Sequence, residues 1–204
     1  MFFLDNLLSR FVRRKRALAK LRKSYGEIIF SWEDIKDILS KFIKKSSEES
    51  LISRTRFFIR FWAHNSNNYV YNCVWTDTNN TMILFAQEFS EGSWQEAIPI
   101  ACIGFKVDKS GSIFVKQIQG VSFRNYKILA EFKWERFLLS KLTEWASTNS
   151  FRAIKVQKSV DNYYYKNMGP NAEEFNKRLF MRYDVTAKRS GFKLVDGRYE
   201  KKLI

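Results

Sequence analysis

Residues 186–203 read TAKRSGFKLVDGRYEKKL, a stretch that joins the end of a helix to a hairpin. Gly191 follows a helix-favouring run, and glycine commonly ends a helix because it adopts a left-handed backbone without steric cost. Asp196-Gly197 then separates two strand-like segments, FKLV and RYEKKL, and this pair is typical of a two-residue turn between antiparallel strands. The stretch therefore predicts a last helix over about residues 171–189 and a β-hairpin after it.

The middle of the chain predicts a sheet followed by a long helix. Residues 132–147, FKWERFLLSKLTEWAS, carry apolar side chains on one side of a helix, and residues 153–157, AIKVQ, favour a short strand. Four segments before them are rich in the β-branched and aromatic residues that favour strands. They are YVYNCVWT (69–76), TMILFAQEF (81–89), IPIACIGFKV (98–107) and SIFVKQIQGV (112–121). Their short connections indicate an antiparallel meander.

The first part of the chain predicts mostly helices. Residues 2–23 favour a basic amphipathic helix, because leucines and phenylalanines recur at helical spacing among arginines. Residues 27–30, EIIF, favour a short strand. Ser31 then begins a helix in which Asp34 completes a capping box. Residues 48–64, EESLISRTRFFIRFWAH, predict a second helix, whose acidic start and basic later part suit the helix dipole.

Positive charge is the main feature of the composition. The chain of 204 residues has 36 Lys and Arg against 21 Asp and Glu, a net charge of +15. We treat residues 1–25 as a basic helical extension and residues 26–204 as one domain. The excess favours polyanionic partners, namely nucleic acid, an anionic membrane surface or a phosphate-bearing cofactor, although a solvated surface would also account for it. The N-terminal helix could equally dock on its own domain.

Histidine and cysteine usage excludes several classes of site. His64 is the one histidine, so a zinc site of several histidines is excluded, and a Ser–His–Asp triad would have to use His64. Cys73 and Cys102 lie far apart and form no metal-binding spacing, so we expect no metal. No apolar run approaches the roughly 18–20 residues that span a bilayer. The first residues place apolar side chains before basic ones, unlike a secretory signal, and we expect a cytoplasmic protein.

Together these elements resemble the GNAT superfamily of N-acyltransferases. Residues 186–192, TAKRSGF, with the hairpin after them are similar to that family's final helix, its Gly-Phe stop and its last two strands, and the resemblance in element order extends over residues 27–204. It implies an α/β (α+β) fold with a mixed, mostly antiparallel sheet flanked by helices. It also implies transfer of an acetyl group from acetyl-CoA, or of another acyl group, to an amine. The alternative is a non-catalytic relative whose residues 1–25 contact nucleic acid or an anionic membrane surface.

The family holds the pyrophosphate of CoA where its fourth strand turns into the long helix. Its motif there, Arg/Gln-x-x-Gly-x-Gly/Ala, lets backbone amides at a helix N-terminus approach the phosphates. In this chain Ala130 stands at the Arg/Gln position, and Lys133 and Glu135 replace the two small residues, so the resemblance implies a rebuilt loop. The backbone groups expected to orient the thioester are those of Gln119, Gly120 and Val121. The cations expected on the phosphates are those of Arg124, Lys127 and Lys133.

Acyl transfer to an amine also needs groups that move protons. Many family members carry a Tyr five residues before the Phe of the Gly-Phe pair, where it protonates the departing thiolate, but here that position is Ala187. Tyr183 lies one helical turn earlier on the same face, so it is the expected substitute, with a purely structural core side chain as the alternative. Glu88, near the end of a meander strand, is the expected base that takes the proton of the amine.

Overall fold

One mixed sheet organises the part of the chain that the structure describes. The computed structural model describes residues 12, 14–16, 18–44, 51–63, 78–121, 126–167 and 172–203. The strands within these ranges are β1 (Ile28–Phe30), β2 (Thr55–Ala63), β3 (Asn80–Ser90), β4 (Ser93–Trp94), β5 (Ile98–Val107), β6 (Ile113–Gly120), β7 (Ala153–Val156), β8 (Lys193–Val195) and β9 (Arg198–Lys202). Their order is β1-β2-β3-β5-β6-β7-β9-β8, with β4 paired to β3. Among these strands only the β6–β7 pair is parallel, which confirms the expected mixed, mostly antiparallel sheet.

Helices accompany this sheet. They are α1 (Trp32–Leu39), α2 (Tyr126–Glu131), α3 (Trp134–Thr148), α4 (Tyr163–Asn167), α5 (Ala172–Phe180) and α6 (Thr186–Arg189). α1, α3 and the run from α5 to α6 lie where the sequence predicts helices, whereas the short helices α2 and α4 were not predicted. A π-helical turn, Met181–Val185, joins α5 to α6 without a break. Residues 172–189 therefore form one helical run, which we call the last helix, close to the predicted range of 171–189.

The predicted helix over residues 48–64 is wrong. Leu51–Arg54 form a short 3₁₀ turn, and Thr55–Ala63 form β2, which pairs with β1 on one side and β3 on the other. Side chains along β2 alternate between buried and more exposed positions, which is the period of a strand. The buried ones are Thr55, Phe57, Ile59 and Phe61.

The helix that follows β1 begins as the sequence predicts. The Asp34 amide donates a hydrogen bond to Ser31 Oγ (3.4 Å), and the Ser31 amide donates one to Asp34 Oδ2 (2.7 Å), which completes the capping box. Lys141 of α3 is almost fully buried, and its Nζ donates to the Asp34 carbonyl oxygen (3.2 Å) and to Glu144 Oε2 (3.0 Å). A buried ammonium group thereby ties α3 to the end of this capped turn.

The described part of the basic N-terminal helix packs on the domain. Residues 18–23 are helical, and Leu21 is fully buried within the same hydrophobic core as α1 and α3. Other sequence-based expectations fall outside the described residues. These are residues 1–11 of that helix, His64, the strand over 69–76 with Cys73, and Arg124.

Candidate functional site

Backbone pairing between the parallel strands β6 and β7 stops halfway along β6. Their pairing runs from Ile113 opposite Ile154 to Val115 opposite Val156, where β7 ends, whereas β6 continues to Gly120. We call the space beside residues 116–120 of β6, on the side of β7, the cleft. Where a strand loses its backbone partner, its main-chain groups must be paired by side chains, by solvent or by a ligand.

The backbone direction of β6 decides which amides face the cleft. Gln119 pairs with Cys102 of β5, and the Val121 amide donates to the Ile100 carbonyl oxygen (2.8 Å). Alternate residues of a strand direct their main-chain groups to opposite sides, so the amides of Ile118 and Gly120 face the cleft. Of the three residues expected to orient a thioester, Gly120 is therefore the one that presents its amide there.

The Gly120 end of the cleft packs against the start of α3. A Cβ atom added at Gly120 would lie 3.1 Å from Leu129 Cδ1 and 3.6 Å from Trp134 Cζ2, which makes glycine the residue that fits this close approach. The Arg182 guanidinium of the last helix stands over the Trp134 ring, 5.6 Å from its centroid. The end of β6, the first residue of α3 and the π-helical turn thus meet at one place.

A groove rich in cations lies at that meeting place, between the first turn of α3 and the last helix. We call it the basic groove, and its volume is about 590 Å³. The cations that line it are those of Lys44, Lys133, Arg136, Lys177, Arg178, Arg182 and Arg189, and its carboxylates are those of Glu135 and Glu174. Such an excess of positive charge at a helix N-terminus favours a phosphate-bearing ligand.

Two guanidinium groups of the basic groove have unused donors. The Nε atoms of Arg136 and Arg182 are buried and have no hydrogen-bond partner among the described residues. Arg136 Nη2 donates to the Arg189 carbonyl oxygen (3.4 Å), which links α3 to the end of the last helix. Buried donors without partners are costly unless a ligand or solvent supplies an acceptor, so these two arginines are the groove's strongest anion-binding candidates.

Glu135 stands within the same groove, in the first turn of α3. Burial raises the pKa of Glu135, and Arg182 and Lys44 counteract part of that rise. Its carboxylate would repel a phosphate placed against the helix N-terminus. A phosphate in this groove would therefore meet the side-chain cations around Glu135 rather than a bare helix end.

The remaining residues expected from the sequence lie in different places. Among the described residues, Lys133 lines the basic groove. Lys127 is exposed on α2 and does not line that groove. Glu88 is exposed near the β3–β4 hairpin, and strand β5 separates β3 from β6. The structure therefore places Lys133 in the basic groove and Gly120 at the end of the cleft, whereas Glu88 lies at neither.

Tyr183 lies inside the cleft. Its side chain is 1% exposed, and its hydroxyl is within 3.0 Å of the Ile118 amide. Burial raises the pKa of Tyr183, so the hydroxyl stays protonated at neutral pH.

Sequence reasoning missed Gln157, whose side chain donates to the Lys116 carbonyl oxygen across the cleft. A polar residue directly after a buried strand was the only local sign of it.

No helix of the described residues is long and apolar enough to cross a membrane. No three His, Cys, Asp or Glu side chains of the described residues come together as a metal site would require.

Comparison with known proteins finds matches among solved structures. No family model and no curated protein matches the chain. A candidate N-acetyltransferase from Lactobacillus plantarum is 14% identical with a TM-score of 0.36, covering 72% of this chain and 99% of that one. A GNAT-family N-acetyltransferase from Escherichia coli, solved in complex with CoA, is 12% identical with a TM-score of 0.32, covering 60% and 59%.

A third solved structure gives a similar result. The aminoglycoside 6'-N-acetyltransferase from Enterococcus faecium is 11% identical with a TM-score of 0.33, covering 61% of this chain and 73% of that one. Identities and TM-scores this low carry no activity from those proteins to this one. The function of the chain has to be inferred from its own contacts.

Proposed function

We propose that the chain is an acyl-CoA-dependent N-acyltransferase, which moves an acetyl or other acyl group to an amine. One observation carries the proposal: Gly120 at the end of the cleft packs on Trp134, the first residue of α3, and Arg182 of the basic groove stands over the same ring. Acyl-CoA joins an anionic phosphate-bearing half to a narrow, amide-containing arm that ends in the thioester. A cationic groove next to a strand that lacks a backbone partner over residues 116–120 suits both halves.

The residues present fit such a ligand. Arg136 and Arg182 have buried donors that phosphate oxygens would satisfy, and Lys133 adds a cation beside them. The Gly120 N–H points away from β5 and donates to no group of that strand, so it can donate to a carbonyl oxygen in the cleft. Acyl-CoA supplies the activated acyl group, and the chain supplies binding and orientation.

A base for the amine remains a prediction within this proposal. Glu88 is the residue that the sequence favours, and it is exposed near a hairpin rather than beside the cleft. An exposed carboxylate could take the proton only through solvent. Replacement of Glu88 by Gln should therefore leave the binding of acyl-CoA unchanged, whatever it does to turnover.

Calorimetry with acetyl-CoA tests the proposal. We expect binding by the wild-type protein, and about tenfold or greater weakening in Arg136→Ala and in Arg182→Ala, since a charged hydrogen bond contributes about 1.5–3 kcal/mol. Lys127→Ala is the matched control, because Lys127 is an exposed cation outside the groove lining, and its affinity should stay within about twofold. Absence of binding at millimolar acetyl-CoA would contradict the proposal.

The second candidate function is contact of the N-terminal basic helix with nucleic acid or an anionic membrane surface. Lys20, Arg22 and Lys23 are exposed, while Leu21 on the other side of the same turn is buried in the core. The apolar side of residues 18–23 is thus used by the protein itself, and its charges are what a partner would meet. A charge-reversed triple variant at these three positions should abolish salt-sensitive binding if this function holds.

A further inference from the structure

We infer that Tyr183 is a positioning residue: beyond the end of β7, its hydroxyl binds the main chain of residues 116–118 of β6 and thereby fixes the direction of the Gly120 amide. The kinetic consequences rest on the proposed acyltransferase function. The structural part, which concerns the main chain of β6, stands without it.

The Tyr183 hydroxyl uses all of its hydrogen-bonding capacity within the cleft. It accepts from the Ile118 amide (3.0 Å) and from Asn162 Nδ2 (3.1 Å), and it donates to the Lys116 carbonyl oxygen (3.3 Å). A tyrosine hydroxyl has one proton and two acceptor positions. These three contacts therefore leave nothing over for a ligand.

Two neighbouring side chains complete the arrangement. Gln157 directly follows β7. Its backbone N–H donates to the Val115 carbonyl oxygen (3.1 Å), and its side-chain amide donates to the Lys116 carbonyl oxygen. We call Gln157, Asn162 and Tyr183 the cleft bracket. A strand that leaves its partner exposes main-chain groups whose burial is costly unless they are paired, and the cleft bracket pairs them for residues 116–118. The split in the sheet is thereby stable without a ligand.

The π-helical turn explains how Tyr183 reaches β6. Its next neighbour, Asp184, is also buried, and accepts from the Ser159 amide (2.9 Å) and from the Tyr199 hydroxyl (3.0 Å). Consecutive buried side chains with separate polar partners suit the wider turn, which inserts one residue into the helix. Asp184 thus anchors the turn to the segment after β7 and to β9, and Tyr183 is held from the same point.

The contacts favour positioning over proton donation. The hydroxyl proton is directed at the Lys116 carbonyl oxygen rather than into the open end of the cleft. Efficient general acids have a pKa near the working pH, whereas burial raises the pKa of Tyr183 above its ordinary value. Gly120 lies two residues after Ile118 in β6, so the N–H groups of both residues point to the same side of the strand. The hydrogen bond that fixes the Ile118 N–H therefore also fixes the direction of the Gly120 N–H.

The variant Tyr183→Phe tests this role by two readouts. Amide hydrogen exchange at Ile118 in the ligand-free protein should become at least about tenfold faster, because that amide loses its acceptor. In steady-state acetyl transfer the KM for acetyl-CoA should rise about tenfold, kcat should stay within about threefold, and the alkaline limb of the pH profile should be unchanged. Unchanged Ile118 exchange would overturn the inference, as would a kcat lowered about a hundredfold with an altered alkaline limb.

Tyr25→Phe is the matched control. It also removes a tyrosine hydroxyl that makes a hydrogen bond, to Asn80 Oδ1 (2.5 Å), but Asn80 belongs to β3, which β5 separates from β6. It should lower thermal stability while leaving Ile118 exchange and the KM for acetyl-CoA unchanged. If it shifted both as much as Tyr183→Phe does, the effect would be general loosening, and the positioning role would be rejected.

Asn162→Ala provides a second variant if Tyr183→Phe fails to fold. It removes one of the two donors to the Tyr183 hydroxyl, so Ile118 exchange should accelerate by about two- to fivefold; no acceleration would count against the cleft bracket. If the wild-type protein does not bind acetyl-CoA at all, the proposed function fails, yet the exchange measurement still decides whether the cleft bracket holds β6.

Discussion

The two halves of β6 are stabilised on the β7 side in different ways. Over Ile113–Val115 the strand pairs with the backbone of β7, and over residues 116–118 it pairs with side chains of the cleft bracket. Backbone pairing is generic, since almost any apolar residue could stand in the paired half. Side-chain pairing is specific to Gln157, Asn162 and Tyr183. The comparison shows that a sheet can be opened at low cost when polar side chains take over its hydrogen bonds.

The largest effect should come from weakening the paired half. Ile154 is fully buried opposite Ile113, so Ile154→Ala removes packed side-chain atoms and leaves a cavity. We expect a loss of about 2–5 kcal/mol in the free energy of unfolding, measured by urea denaturation. Ile28→Ala is the control, because Ile28 is 50% exposed and should cost well under half as much. Equal losses would show that the paired half is not a core element.

Gly120→Ala tests the open half. The new methyl group would lie 3.1 Å from Leu129 Cδ1, so the buried Leu129 side chain would have to move by a few tenths of an ångström. We expect destabilisation of about 1–3 kcal/mol together with weaker binding of acetyl-CoA, measured by urea denaturation and calorimetry. Retained affinity in a destabilised variant would indicate that Gly120 serves packing alone.

Gln157→Ala tests the junction between the two halves. Gln157 is 5% exposed, and its side chain shares the Lys116 carbonyl oxygen with the Tyr183 hydroxyl. Because one bond to that oxygen would remain, we expect a loss of about 1 kcal/mol in the free energy of unfolding. Gln95→Ala is the matched control, since Gln95 is exposed in the turn after β4 and should change stability by about 0.5 kcal/mol at most.

The last effect is absent at neutral pH and appears only at alkaline pH, at Tyr199 behind the cleft. Burial and the hydrogen bond to Asp184 raise the pKa of Tyr199 to about 12, above its ordinary value of 10.0. Between these two values the unfolded chain loses a proton that the folded protein keeps, so stability should fall as pH rises from 10 toward 12. Urea denaturation across that range should show a shallower decline in Tyr199→Phe. An identical decline would mean that Tyr199 titrates alike in both states.

Much of the fold could be predicted because its signals are local. Asp196-Gly197 predicts a hairpin, Ser31 with Asp34 predicts a helix start, and the amphipathic run of α3 has one apolar side. β2 could not be predicted so directly. Apolar residues occur on both of its faces, because Phe58 packs against Phe85 in a second cluster across the sheet, so simple alternation of apolar and polar residues is lost.

The candidate site was only partly accessible to sequence reasoning. Lys133 and Gly120 were predicted from their positions around the strand-to-helix connection, and the structure places them beside the groove and the cleft. The divergence of β6 from β7 has no local signal, because both segments have the composition of ordinary strands. Arg182 and Gln157 lie far from that connection in sequence, so only tertiary packing shows that they share it.

The π-helical turn at Met181–Val185 makes the last helix sensitive to its length. Deletion of one residue there would restore an ordinary α-helix and rotate everything before it by about 100° relative to α6. Leu179, now 5% exposed, would swing away from the interior. Insertions and deletions in this stretch should therefore be far more harmful than substitutions at exposed positions such as Met181, and chain length here is itself under structural constraint.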